Sequence, residues 1–170
     1  MAAPLQLRFK KKNDGTAVIT ATRADGTSTY HTIGPASGYG PAHDFCHYAV
    51  ETYFGIARGF FGLLVEGWNI EDFETGVRGP VPEQAAFAER LAGALSQNVA
   101  QIRRIGGHRF SAADINLTVG EAAFTEEQLH ELEERVMALV AAWRALPHGE
   151  AFELAFEPGV KCSRTTASAR

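Results

Sequence analysis

Residues 5–33, LQLRFKKKNDGTAVITATRADGTSTYHTI, decide the fold class. Leu5, Leu7 and Phe9 alternate with Gln6, Arg8 and Lys10, a period of two that places apolar side chains on one face of a strand. Asn13-Asp14-Gly15 supplies a hairpin turn, Thr16 to Arg23 is a second run rich in β-branched residues, and Asp25-Gly26 turns the chain again before Ser28 to Ile33. The reading is a three-stranded antiparallel meander. Near the other end, Phe152, Leu154 and Phe156 alternate with Glu153, Ala155 and Glu157, which predicts one further strand before a polar tail that frays from Pro158.

Helical periods fill the space between. The glycine- and proline-rich connection over 34–41 ends the meander, and from Ala42 Phe45, Ala49, Thr52, Tyr53, Ile56 and Phe60 fall within one half of a helical wheel. Gly55, Gly59, Gly62 and Gly67 punctuate the next stretch of chain, so Phe60 to Val65 reads as a second short helix whose small residues allow close approach. Pro80 and Pro82 open a third, ended by Gly106-Gly107 with Arg103 and Arg104 in its last turn; its stripe is Phe87, Leu91, Leu95, Ile102 and Ile105. Thr125 and Gln128 make a capping box for a fourth, with a seam of Leu129, Leu132, Val136, Leu139, Trp143 and Leu146 stopped by Pro147. Strands, about four helices, then one strand predict an α+β fold: a single domain over 1–157 and a polar C-terminal tail over 158–170.

Composition bounds the function. The 170 residues are 45% hydrophobic and 21% charged, ordinary for a globular domain. A formal net charge of -4 sets up no field for nucleic acid, and neither a membrane-spanning run nor a cleavable leader is read. Cys46 and Cys162 have no paired spacing, which excludes a disulfide scaffold and points to a cytoplasmic location.

One constellation carries chemistry: His43-Asp44-Phe45-Cys46-His47-Tyr48-Ala49-Val50-Glu51. On a helix His43, His47 and Glu51 lie at about 0°, 40° and 80°, with Asp44 at about 100°. Imidazoles at i and i+4 converge on one divalent ion, zinc above all. His43 and Glu51 are ~12 Å apart along the axis, too far for one ion bound at ~2.0–2.2 Å. The metal ligands are therefore His43 and His47, with a third from elsewhere: His31, His108, Glu66 or Asp72. Glu51 or Asp44 then orients His47 or acts as catalytic base on a metal-bound water. The competing reading is a solvated helix face with His47 and Glu51 as a simple i,i+4 pair.

His43-Asp44-x-x-His47 distantly resembles the zinc metalloprotease signature His-Glu-x-x-His, with the acid one methylene shorter. Pro41 to Glu51, in the form Pro-x-His-Asp-x-x-His-x-x-x-Glu, together with the Gly-Phe-Phe-Gly-Leu-Leu run over Gly59 to Leu64, is similar to small uncharacterised bacterial proteins and implies no particular activity.

Other residues have plainer readings. Cys46 is a buried structural thiol, and Glu71, Asp72 and Glu74 form a solvated acidic loop. Arg8, Lys10, Lys11 and Lys12 blunt a sheet edge. Gly106-Gly107-His108-Arg109 is a helix cap that doubles as a candidate anion site through His108 and Arg109. Two functions are in play: a metal-dependent hydrolase acting on a small-molecule substrate, and a noncatalytic small-ligand-binding or homo-oligomeric protein. For the latter the leucine seam offers a homodimer interface, although packing within the domain is its first use.

Overall fold

The computed structural model describes residues 4–34, 40–104, 106–121 and 123–162, and the backbone of 168–169. The elements run β1 (Leu5–Lys11), β2 (Ala17–Thr22), β3 (Ser28–Ile33), α1 (Ala42–Phe54), α2 (Phe60–Val65), α3 (Ile70–Thr75), α4 (Glu83–Ile102), α5 (Ala112–Val119), α6 (Glu126–Ala145), β4 (Ala151–Phe156) and β5 (Ser168–Ala169). The fold is α+β, and the sheet order is β3-β2-β1-β4-β5, with every pairing antiparallel.

The meander forms as its alternation requires. Leu5, Leu7 and Phe9 face Phe156, Leu154 and Phe152 on β4, and Leu7 and Phe9 face Ala21 and Ile19 on β2, all buried on the helix side. At both hairpins an aspartate, Asp14 or Asp25, accepts from the amide two residues on, and the glycine after it takes a positive φ. β1 lies between β2 and β4, so its basic residues do not guard an edge: Arg8 faces Glu153, and buried Lys11 donates to the Leu146 carbonyl at 2.7 Å, at the end of α6.

α1 is the centre of the molecule. Phe45 packs its ring on Phe9 and Phe152 at 4.9 and 5.9 Å, while α4 and α6 cover the other flanks of the helix. The leucine seam of α6 is used here: Leu129, Leu132, Val136, Leu139 and Trp143 are buried within the chain and Leu146 is partly buried.

Among the described residues six helices stand where four were expected. α3 and α5 are each launched by a capping box, Asn69 with Asp72 and Ser111 with Asp114, so Glu71, Asp72 and Glu74 stand on a short helix instead of in a loop. α4 ends at Ile102 with Arg103 as its C-cap, four residues before the glycines. Its core face is Ala85, Ala88, Leu91, Ala92, Leu95 and Val99; Ile102 is exposed and Ile105 lies outside the described residues. Most of the 34–41 connection also lies outside them. The start of the tail is tied down, Cys162 donating from its amide to the Thr52 carbonyl and accepting at its own carbonyl from Arg135. No helix among the described residues is long and apolar enough to cross a membrane.

Candidate metal centre

The stripe read from the sequence is on α1, and it is not a solvated face. Asp44, His47 and Glu51 are buried and only His43 is exposed, because α2 and α4 close over the polar side of the helix.

Glu51, 1% exposed, is the anchor. The amides of Phe60 and Phe61, the free donors at the start of α2, donate to its Oε1 and Oε2 at 2.8 and 3.1 Å. Oε1 also accepts from His47 Nδ1 at 3.3 Å. Both oxygens are thus engaged inside the protein, and Oε1 fixes the Nδ1 side of His47.

His47 Nε2 points the other way and lies 2.8 Å from Glu89 Oε2 on α4. His43 Nε2 lies 3.5 Å from Glu89 Oε1, and the two imidazoles meet edge to face with ring centres 4.9 Å apart. One ligand atom from each of His43, His47 and Glu89 lies within 4.8 Å of the others, an arrangement that could hold a metal ion. Burial alone would lower the basicity of His47, yet its hydrogen bonds to Glu51 and Glu89 raise its pKa to about 9. Hydrogen bonds from His43 and His47 hold Glu89 far below the usual carboxylate range.

The residue that joins His43 and His47 as a potential third ligand is Glu89, which the sequence reading did not single out. Nothing in Ala-Phe-Ala-Glu-Arg separates that residue from an ordinary surface glutamate, although Ala85 and Ala86, one turn before it, form a small-residue surface that a close neighbour requires. Of the four candidates named for the role, three are placed elsewhere and His31 lines the neighbouring recess without joining the cluster. Glu66 binds Arg58 at 2.7 Å, and Asp72 caps α3 and meets Arg78. His108 is exposed against Phe110, while His31 faces Asp44 at 3.5 Å from β3.

The expected anion site is also corrected. Arg109 donates to Glu133 at 2.8 Å and Glu126 at 2.6 Å, so its fork is occupied by carboxylates. Its neighbour Phe110 bonds to Asn98, nine residues along α4 from Glu89 and so roughly 13 Å away along the axis. Cys46 is fully buried, and burial pushes its thiol far up, in keeping with a structural role.

Two recesses meet at the cluster. One, of about 430 Å³, is lined by His43, Asp44, His47 and Glu89 together with His31 and Glu74. The second, of about 480 Å³, runs from His47 and Glu89 along Phe60, Phe73 and Ala85. Comparison with protein-family models, curated proteins and solved structures found no match for this chain.

Proposed function

We propose that His43, His47 and Glu89 bind one divalent ion, zinc by ligand type, and that the protein is a hydrolase for a small-molecule substrate. The observation that carries this reading is the convergence of the three ligand atoms with the Nδ1 side of His47 fixed by Glu51. Two imidazoles and a carboxylate are a catalytic zinc set, leaving a fourth position for water. The tetrahedral edge for bonds of ~2.0–2.1 Å is about 3.3 Å, so the ligands must close in by rotation. His43 and Glu89, with side chains 48% and 61% exposed, have that freedom, whereas His47 is held.

The surroundings favour a cation. Asp44 and Glu74 add negative charge to the shared recess, and a metal there lowers the pKa of bound water towards neutrality. Asp44, 3.5 Å from His31, fits the base role expected of it, since both residues line the recess where that water would sit. A cytoplasmic protein fits: no disulfide joins Cys46 to Cys162.

Elemental analysis of tag-free protein, followed by zinc titration, tests the proposal. One zinc per chain is expected, with His43→Ala and Glu89→Gln each weakening it at least 100-fold while leaving the circular dichroism spectrum of the folded protein intact. Absence of stoichiometric metal, or affinity unchanged in both variants, overturns it and leaves a noncatalytic ligand-binding protein as the better reading.

A further inference from the structure

The second recess differs in kind from the first. Phe60, Phe73, Val81, Ala85 and Ala86 supply most of its lining, and the polar groups in it are His47, Glu89 and Arg90. Arg90 is paired with Glu83 at 3.2 Å and lies over the ring of Phe87, so its charge is already matched. At about 480 Å³ the recess is of small-molecule size, within the ~300–1,000 Å³ common for such sites. An occupant therefore meets a mainly apolar lining, and potential metal ligands only where it reaches the cluster. Ala85 and Ala86 lie one turn before Glu89 on α4, so the same helix that presents the carboxylate leaves the space beside it empty of side chain.

Resting on the metal reading above, we infer that the substrate is an ester or amide of an apolar acyl or aryl acid, its hydrocarbon part lying along Phe60, Phe73 and Ala86 and its carbonyl at the His43–His47–Glu89 cluster. The reaction is hydrolysis. Water forms a C–O bond to the carbonyl carbon, the bond from that carbon to the alcohol oxygen or amine nitrogen breaks, and the water proton passes to the leaving heteroatom. The products are the apolar carboxylic acid and an alcohol or amine, with no change of oxidation state. The His47 ring, 5.1 Å from that of Phe60, marks where the apolar lining joins the cluster.

The test uses zinc-loaded full-length protein and straight-chain hydroxamic acids from acetohydroxamic to decanohydroxamic acid, which chelate a metal while carrying an alkyl tail. Affinity is expected to rise roughly three- to fourfold per added methylene until the recess is full, following ~0.8 kcal/mol per buried CH₂. Ala86→Trp, which fills the recess, and Val81→Asp, which charges an exposed part of its wall, should each flatten that rise while zinc stoichiometry stays at one; the second variant covers a folding failure of the first. An affinity independent of chain length in wild-type protein holding one zinc overturns the acyl assignment and leaves the metal reading standing. Protein that holds no zinc overturns both.

Discussion

Glu51 carries more of the site than its two oxygens suggest, since it closes the first turn of α2 and sets the ring of His47 together. The two tasks separate by substitution. Glu51→Gln keeps a carbonyl oxygen for one amide and should lower zinc affinity about 10- to 100-fold, the usual effect of removing a group that orients a ligand. Glu51→Ala strips the acceptors from two amides and a buried imidazolium, and should cost on the order of 3–5 kcal/mol in urea unfolding. His47 has its own pH signature in metal-free protein. Its folded pKa of about 9 lies above the unfolded value, so the stability it contributes is full below about pH 6.5 and is lost as pH rises through 9. The loss is on the order of 3 kcal/mol, shared between the hydrogen bonds of His47 to Glu51 and to Glu89. Urea midpoints at pH 6 and pH 10 check this, and a midpoint unchanged by His47→Gln across that range contradicts it.

At the scale of elements, the start of α2 is packed around two glycines, Gly59 at its N-cap and Gly62 within it, whose conformations are ordinary but whose space is not. A Cβ at Gly59 would lie 2.3 Å from Glu51 Cδ, and one at Gly62 would lie 2.0 Å from the Ala57 carbonyl oxygen. Gly62→Ala meets backbone that cannot rotate away and should destabilise by about 1–3 kcal/mol with zinc affinity retained. Gly59→Ala displaces Glu51 and should weaken zinc binding and stability together, a contrast that calorimetry and thermal melts can read. These close approaches were legible as small residues at helical spacing, just as the strands were legible from a period of two that one covered face enforces. The burial of the α1 polar stripe was not, because a wheel with one apolar half implies one-sided covering, whereas α4 packs on the other side as well. Glu89 was hidden for the same reason: it joins His43 and His47 through a helix–helix contact that leaves no local pattern. α3 and α5 were missed through their brevity, since six and eight residues scarcely establish a period, yet Asn69-x-x-Asp72 and Ser111-x-x-Asp114 announce them by capping chemistry.

For the whole molecule, the question is whether a metal would make the fold or only strengthen it. The core is built from residues outside the cluster: Leu7, Phe9, Phe45, Leu95, Leu132 and Phe152 are all buried in one apolar body. Metal-free protein should therefore remain folded, unlike small zinc modules in which the ion replaces a core. Binding to the native state alone still adds stability by mass action, about 2.7 kcal/mol when free zinc is 100 times its dissociation constant. For a chain of this length each kcal/mol moves the melting temperature by roughly 2–4 °C, so zinc should raise it by roughly 5–10 °C. A chelator should reverse the rise, and His43→Ala should abolish it, because that exposed imidazole helps to bind the ion but supports no part of the core. A zinc-induced rise of the same size in His43→Ala would place the stabilising ion elsewhere on the molecule and remove the cluster from α1 and α4 as its site.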